Sequence, residues 1–509
     1  MNIREVCILG GGTAAIFTAS VLARLKELGT DNHTKNLKIK CVYSDKIGTI
    51  GVGESTLQSI NIFFKYLGLD DNEWMKFCNA TYKISIRFED FYKKGTHFHY
   101  PFGDAIQPYE NYLNDWFVLK EKYPKIFKQN TFSDYALPHT RMCELNKLTN
   151  QDFVAGQNFE NNSAYHFDTH LLNDYLKSYC KKRGVEFIVD EYIDSDLDDS
   201  GYITKLNCKN NTIRSDIFID CTGFKSLLLG KLMNVNYVSF SETLINNRVV
   251  RAKVPYKNIK TQLKNYTNCF ALNNGWCWEI PLWDCMSVGY VHSTKFSNEE
   301  QILDEFFNHT KKYTKEKIDY SIVDYKTGRY EKGWIKNVIG VGLSYGFLEP
   351  LESTGILTTL HNVFELLDIL SKRGLQYTKI DQDIFNYSVN KKIDDLRGFI
   401  ELHYALSSRD DTDYWKFVTN EISYDSYDYN SFLYSTVVDK MYHSNINFSG
   451  MAYLASGMNH SPMCDARMKI DNENYSKLRD NYVKNNRIVD NFLKKQLSTY
   501  EFTKRHIYS

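Results

Sequence analysis

Val6-Cys7-Ile8-Leu9-Gly10-Gly11-Gly12-Thr13-Ala14-Ala15 is the stretch that decides the fold. Its four apolar residues read as a short buried strand, and the three glycines as a tight turn. A helical pattern follows, with Ala15, Ala19, Leu22 and Leu25 near one face. The spacing fits G-x-G-x-x-G/A. Gly10 makes the turn, Gly12 lets backbone approach a pyrophosphate, and Ala15 is small enough for close helix–strand packing. Thr13 and Ala14 open the helix, whose unpaired N–H groups and positive dipole end suit phosphates. Strand, turn and helix in that order favour dinucleotide binding over a plain glycine turn.

Working outward, Lys38 to Tyr43 read as a second strand after a polar connection at Asp31 to Asn36. A carboxylate is expected at its end, to bind the adenosine ribose. Tyr43 stands there instead, followed by Ser44 and Asp45, so ribose contact falls to Ser44, Asp45 or backbone. Residues 184–189, 202–206, 217–223 and 338–343 are further strands. Strands interleaved with helices give an α/β fold with a parallel sheet in a Rossmann-type βαβ unit. From about residue 360 the period changes. Phe385, Val389, Ile393, Leu396 and Ile400 recur every three or four residues, and Tyr475, Leu478, Tyr482, Val489 and Phe492 fit the same pattern. The expected division is a core at 1–360 and a mainly helical region at 361–509.

Composition narrows the classes. The 509 residues are 43% apolar and 24% charged, with zero formal net charge. That is ordinary for a globular chain and gives no basic face for nucleic acid or an anionic membrane. No apolar run approaches the ~18 residues of a membrane span. The 11 cysteines are odd in number and form no Cys-x-x-Cys pair, so no metal is expected and reduced thiols in a cytoplasm fit best. The first strand begins almost at Met1, which leaves no room for a signal peptide.

Several stretches carry chemistry. In Gly275-Trp276-Cys277-Trp278-Glu279-Ile280-Pro281, strand spacing puts Trp276 and Trp278 on one face. Alone, they read as two core aromatics. Lys83 alone reads as a surface lysine, although alternation through Tyr82 to Phe88 places it on one face with Ser85. Glu352 precedes Ser353-Thr354-Gly355 and an apolar run, and so suits a helix N-terminus, where acids are favoured. In Gly51-Val52-Gly53-Glu54-Ser55-Thr56 the glycines let backbone press against a flat ring. Asp220-Cys221-Thr222-Gly223-Phe224 alone is a structural turn.

Taken together, these motifs resemble flavin-dependent halogenases of the tryptophan-halogenase family. The resemblance rests most on the double-Trp stretch and on Pro350-Leu351-Glu352-Ser353-Thr354-Gly355. Asn79 to Lys83, Arg87 to Asp90 and Ser408 to Thr412 support it, so it spans nearly the whole chain. It implies a flavin monooxygenase-like FAD-binding fold. It also implies FADH2- and O2-dependent halogenation of an aromatic through a flavin hydroperoxide, hypohalous acid and a catalytic lysine, Lys83. Glu352 would assist electrophilic aromatic substitution. FAD would be held by Gly10, Gly12, Thr13, Ala14, Ala15, Gly53, Glu54, Tyr192, Leu343 and Ile356. A halide ion (chloride, bromide or iodide) would sit at Thr354 and Gly355. Tyr100, Phe102, Trp276, Trp278 and Ser353 would line the substrate site. The double Trp would separate substrate from flavin, the feature that distinguishes a halogenase from the alternative, a flavin-dependent aromatic hydroxylase.

The match thins where relatives hold their amino acid. Met441-Tyr442 is the nearest counterpart of a Phe-Trp pair, and the segment from Tyr434 to Tyr453 has no clear carboxylate grip. That argues against free L-tryptophan and for a more open site taking electron-rich indoles, phenols or anilines. No second dinucleotide fingerprint of comparable quality occurs, so FADH2 is expected from a separate flavin reductase. Relatives are often homo-oligomers, and the same is expected here.

Overall fold

The computed structural model describes residues 2–48, 51, 53–103, 109–127, 131–150, 162–424, 448–459 and 472–509. Met441, Tyr442, Ile50 and Val52 lie outside the described residues. The chain forms two compact units, each assembled from three segments. The first comprises Met1–Ala80, Phe167–Glu242 and Tyr325–Asp394, and the second Thr81–His166, Thr243–Asp324 and Asp395–Ser509.

The first unit is organised by a parallel sheet. Its strand order is Trp334–Ile335, Val338–Gly340, Ile217–Asp220, Glu5–Leu9, Lys38–Tyr43, Glu186–Val189. All neighbours are parallel except the Trp334–Ile335 edge. Strands this apolar belong in a sheet covered on both faces. Val6, Cys7, Ile8, Phe218 and Ile219 are fully buried. Helix Thr13–Leu28 packs against helices Thr169–Lys182 and Thr354–Lys372. The strand expected at 202–206 is Ile203–Cys208, and it joins an antiparallel three-stranded sheet, not the parallel one.

The second unit is built on a seven-stranded sheet. Its order is Tyr320–Asp324, Arg248–Pro255, Cys285–His292, Gly275–Pro281, Tyr266–Leu272, Ser85–Glu89, His97–Pro101. Only the pairing of Tyr266–Leu272 with Ser85–Glu89 is parallel. One face presents Val250, Ala252, Val254, Cys277, Met286, Val288 and Tyr290 to Ile302 and Phe306 of helix Glu299–Thr310. That helix starts cleanly because Asn298 and Gln301 form a reciprocal capping box. Beyond residue 360 the described elements are almost all helical, including Lys379–Ala405, Phe448–Gly457, Asn472–Leu493 and Thr499–His506. Among the described residues no helix is long and apolar enough to cross a membrane, no His/Cys/Asp/Glu group could hold a metal, and the ten described cysteines are free and buried.

Candidate active site

In the first unit the glycine-rich turn is held by backbone. Gly10 adopts φ +132°, and a Cβ there would fall 2.2 Å from the Cys221 carbonyl oxygen. Only glycine tolerates both the conformation and the approach. Gly10 N donates to Val42 O at 2.8 Å, and Cys221 N donates to Leu9 O at 2.8 Å, so the glycine-rich turn and the Asp220–Gly223 turn meet. Gly12 caps helix Thr13–Leu28 without a side-chain hydrogen bond, and a Cβ on it would meet nothing within 4 Å. The helix start therefore has clear space beside Gly12, as a pyrophosphate requires. Ala14 is fixed from the other side, where Gly342 (φ +65°) approaches so closely that a Cβ would lie 2.7 Å from Ala14 Cβ. Leu343 follows, half-buried in the Gly342–Ser344 turn.

Asp220 sits fully buried at the second turn. One carboxylate oxygen accepts from Thr222 N and Oγ1 at 3.0 and 2.7 Å, and the other from Leu228 N and Leu229 N at 2.7 and 2.9 Å. Burial raises its pKa against the pull of those hydrogen bonds. It holds the turn in shape. Tyr192 lies on the antiparallel sheet, its hydroxyl within 2.9 Å of Ser195 Oγ.

The Pro350–Glu352 turn leads into helix Thr354–Lys372 through Ser353, which has φ +57° although it is not glycine. Such backbone conformations are uncommon and gather at functional sites. Ser353 Oγ donates to Ser55 Oγ at 3.0 Å, which ties the Gly53-Glu54-Ser55 segment to this helix start. Glu352 and Thr354 are buried, as is Ile356 one turn on. Ser353 makes no capping hydrogen bond, and the first turn holds no acidic residue. A Cβ on Gly355 would meet nothing within 4 Å. The helix start thus offers N–H groups and room to a small anion.

In the second unit Trp276 and Trp278 share a sheet face, with ring centroids 6.1 Å apart. Trp278 lies directly opposite Gly289, and a Cβ on Gly289 would fall 2.1 Å from Trp278 Cζ2, so the indole rests on bare backbone. Register carries the same face through Cys269, Phe88 and Phe98, and through Ile86 to Tyr100. Cys269 separates the indole pair from the stacked Phe88 and Phe98 rings on this face. Tyr100 packs edge-on to Phe399 and Tyr453. The hairpin before Trp276 is locked by the buried Arg409, which donates to Ala271 O at 3.1 Å and forks onto Asp411. Thr412 Oγ1 and Trp415 Nε1 bond Asn273 O and Leu272 O.

Lys83 is 0% exposed, so the surface reading fails. Strand Thr81–Lys83 pairs antiparallel with Ala164, Tyr165 and His166, and Lys83 Nζ lies 5.1 Å from the centroid of Phe102. Thr81 Oγ1 donates to Pro281 O at 2.5 Å and faces His166 Nδ1 at 3.0 Å, and His166 Nε2 faces Thr267 Oγ1 at 2.9 Å. With the Thr81 proton used on Pro281, His166 is the donor at Nδ1 and the acceptor at Nε2, a neutral ring. Burial, and then the Lys83 charge, push its pKa well below 6.5. At Ile84 the strand changes partners, from Ala164–His166 to Tyr266–Leu272. Ser85 bonds His99 Nδ1 and Tyr100 O at 3.0 and 2.9 Å.

Sequence reasoning did not single out His166, Thr267 or Gly289. His166 had no motif, and Gly289 is meaningful only once register sets it against Trp278. The Arg409 segment was noted as a motif, but its grip on the Trp hairpin required the fold.

The comparisons with known proteins agree with this geometry. The tryptophan halogenase family model matches residues 5–456. The 7-chloro-L-tryptophan 6-halogenase KtzR of Kutzneria sp. (strain 744) is 34% identical over 434 residues, 80% of each chain. Among solved structures, VirX1 in its apo form superposes with a TM-score of 0.90 at 32% identity, covering 100% of this chain and 99% of that one. The tryptophan 6-halogenase SttH of Streptomyces toxytricini superposes with a TM-score of 0.84 at 28% identity over 99% of both chains. The open helix start behind a strained glycine turn, the buried lysine and the paired indoles accordingly stand in a chain that belongs to the tryptophan-halogenase family of flavin-dependent halogenases.

Proposed function

We propose that this chain halogenates an electron-rich aromatic molecule of the indole or phenol type, using reduced FAD, oxygen and halide, with Lys83 and Glu352 as its catalytic residues. The complete burial of Lys83 against the Phe102 ring carries this reading. An ammonium is strongly hydrated and is rarely withdrawn from water unless it is paired or put to use.

The residues of the first unit fit FAD. The Gly12–Ala15 helix start faces open space for a pyrophosphate, and Gly10 presses backbone to backbone against Cys221. Reduced FAD supplies the two electrons that, with a halide ion and a proton, convert O2 to water and hypohalous acid. Thr354 and Gly355 hold the halide on their N–H groups. Lys83 holds the hypohalous acid by hydrogen bond from its ammonium, or as a haloamine, and so directs the electrophilic halogen. The aromatic ring displaces hydroxide from hypohalous acid, or the lysine amine from a haloamine whose formation has already released water. Glu352 takes the ring proton and returns it to the leaving group, so that the net products are aryl halide and water. A carboxylate there also stabilises the cationic ring before the proton leaves. The Trp276–Trp278 surface bars the substrate from the flavin, which favours halogenation over hydroxylation. Gly53, Glu54, Tyr192, Leu343 and Ile356 flank the flavin, and Tyr100, Phe102 and Ser353 line the substrate site. A separate reductase supplies FADH2, the enzyme is cytoplasmic, and it works as a homo-oligomer.

The test is direct. The protein is incubated with FAD, a flavin reductase, NADH, oxygen and chloride, bromide or iodide, and an aromatic panel is read by mass spectrometry. Halogen isotope patterns on several indoles and phenols are expected. Oxygenated product without halogen would establish the hydroxylase instead. Free L-tryptophan favoured by orders of magnitude in competition would overturn the open-site reading.

A further inference from the structure

Helix Thr169–Lys182 is assigned to nothing above, yet three of its side chains meet three parts of the dinucleotide site. Thr169, Asn173 and Lys177 stand four residues apart and so form one stripe. Thr169 lies against Gly51, where a Cβ would fall 2.8 Å from Thr169 Cγ2 and 2.9 Å from Oγ1. Asn173 Nδ2 donates to Thr13 Oγ1 at 3.3 Å, at the start of the phosphate-binding helix. Lys177 Nζ donates to Tyr43 OH at 2.5 Å. Its ammonium also sits 4.3 Å from the Tyr43 ring centroid and 5.2 Å from that of Phe187.

Two of these side chains have polar capacity to spare. Thr169 is 0% exposed and Asn173 8%, and among the described residues Thr169 Oγ1 and Asn173 Oδ1 find no hydrogen-bond partner. Buried polar atoms are ordinarily satisfied, and each exception calls for a ligand or water. The N-terminus of this helix is not the attraction, because Asp168 already caps His170 N and Leu171 N.

Tyr43 stands where the ribose-binding carboxylate is expected. It is packed on the glycine turn, since a Cβ on Gly11 would fall 2.9 Å from Tyr43 Cβ, Cγ and Cδ2. Of the alternatives weighed from the sequence, Ser44 Oγ already accepts from Lys46 N at 3.3 Å, and Asp45 is exposed. A carboxylate binds ribose by accepting from its hydroxyls. Tyr43 and Lys177 invert that polarity. Lys177 satisfies the phenol oxygen, which leaves the phenol proton and the remaining ammonium protons to be donated.

We propose that helix Thr169–Lys182 forms a wall of the FAD site, and that the Tyr43–Lys177 pair recognises the adenosine ribose as a hydrogen-bond donor in place of the missing carboxylate. Asn173 and Thr169 extend the same wall along the cofactor. The proposal rests on the FAD reading, and its test separates the two. Binding of FAD, and of FAD analogues lacking the adenosine 2′- or 3′-hydroxyl, is measured by flavin fluorescence for the apo-protein and for Lys177→Met and Tyr43→Phe. The wild type should bind at least one deoxy analogue roughly tenfold more weakly than FAD, as loss of a charge-assisted hydrogen bond implies. In Lys177→Met that ratio should collapse towards one, while FAD itself weakens by a similar factor and the melting temperature is kept. Tyr43→Phe should act the same way. A ratio unchanged by both substitutions, or absent in the wild type, overturns the ribose assignment while leaving FAD binding intact. Failure of the wild type to bind FAD at all overturns the FAD reading with it.

Discussion

The two units solve opposite problems. In the first, the residues that matter are mostly absent side chains. Gly10 lets in the Cys221 carbonyl, Gly342 lets in Ala14, and Gly51 lets in Thr169. What they expose is backbone N–H. In the second, the residues that matter are large or charged: Lys83, Trp276, Glu279 and His166 are buried, and Trp278 is half-buried. Glycines clear space there too: a Cβ on Gly275 would fall 2.0 Å from the Val291 carbonyl oxygen, one on Gly457 2.2 Å from the Phe98 ring, and one on Gly289 2.1 Å from the Trp278 indole. The first unit makes room by subtraction around the buried carboxylates of Asp220 and Glu352, and the second withdraws Lys83, Glu279 and His166 from water. The same glycine that is cheap in a turn becomes indispensable where two surfaces touch.

If the division of labour is real, Lys83→Ala breaks it most visibly. Halogenated product should fall by a factor on the order of 100 to 10,000, the usual range for a positioned catalytic group. Oxygen consumption with reduced FAD should continue near the wild-type rate, because the residues proposed to bind flavin lie in the other unit. An isotope-resolved product assay beside an oxygen electrode reads both. Equal loss of both signals would mean that the two units do not work separately.

Glu279 tests how the second unit carries its buried charge. The carboxylate is buried beside Trp278, bonded by His309 Nε2 at 2.6 Å, by Lys312 Nζ and by Asn268 Nδ2 at 3.0 Å. Burial works against its ionised form. The Lys312 charge and the His309 hydrogen bond outweigh burial and hold its pKa well below 4.5. Removing one partner of a buried ionic cluster costs about 3 kcal/mol, so Glu279→Ala should lower the melting temperature by several degrees. The sign with pH follows from the lowered pKa. The contribution is complete above 4.5 and is lost as pH falls below it. Acid unfolding should therefore be less steep in Glu279→Ala than in the wild type.

The contrast also explains what could be read in advance. Gly10, Gly12 and Ala15 were legible because backbone sites leave a spacing of small residues, and spacing is visible in a string. The strands at 5–9, 38–43 and 217–220 were legible as apolar runs. Trp276 and Trp278 were legible as a pair because alternation within one strand needs no partner. Beyond that, side-chain sites depend on register. Nothing local to Gly289 says that it faces Trp278, and nothing local to His166 says that it neighbours Lys83. The change of strand partners at Ile84, between Lys83 and Ser85, likewise leaves no mark in residue type. Thr169, Asn173 and Lys177 do have helical spacing, but a polar stripe on a helix is ordinarily a solvated face.

Gly289 sharpens the comparison at smaller cost. Gly289→Ala places a methyl 2.1 Å from Trp278 Cζ2, and the strand backbone cannot yield. Overpacking of this kind costs about 1–3 kcal/mol. The indole should move, with a changed near-ultraviolet circular dichroism spectrum and a lower melting temperature. The Gly12→Ala substitution, where a Cβ meets nothing within 4 Å, should leave the unfolding free energy within about 0.5 kcal/mol of wild type and weaken FAD binding alone. If Gly289→Ala instead leaves both spectrum and stability unchanged, glycine in the second unit is not clearing space for Trp278.

The smallest expected effect concerns His166. Its folded pKa lies well below the ordinary 6.5, so the unfolded chain binds the proton more readily. Stability from this group is complete above 6.5 and falls as pH drops below it. Between pH 7 and 5.5 one such histidine removes about 1 kcal/mol. His139 and His292, both pushed down to about 4 by burial, add to the same slope. They lie apart from the catalytic lysine in cause, because burial comes first for all three but only His166 also feels Lys83. Chemical unfolding at a series of pH values should therefore show a shallower slope in His166→Asn. It should also show a slightly shallower slope in Lys83→Ala, where the remaining histidine protonates more easily. A Lys83→Ala curve parallel to wild type would mean that the ammonium does not act on His166, and that the walled-in charges of the second unit are independent of one another.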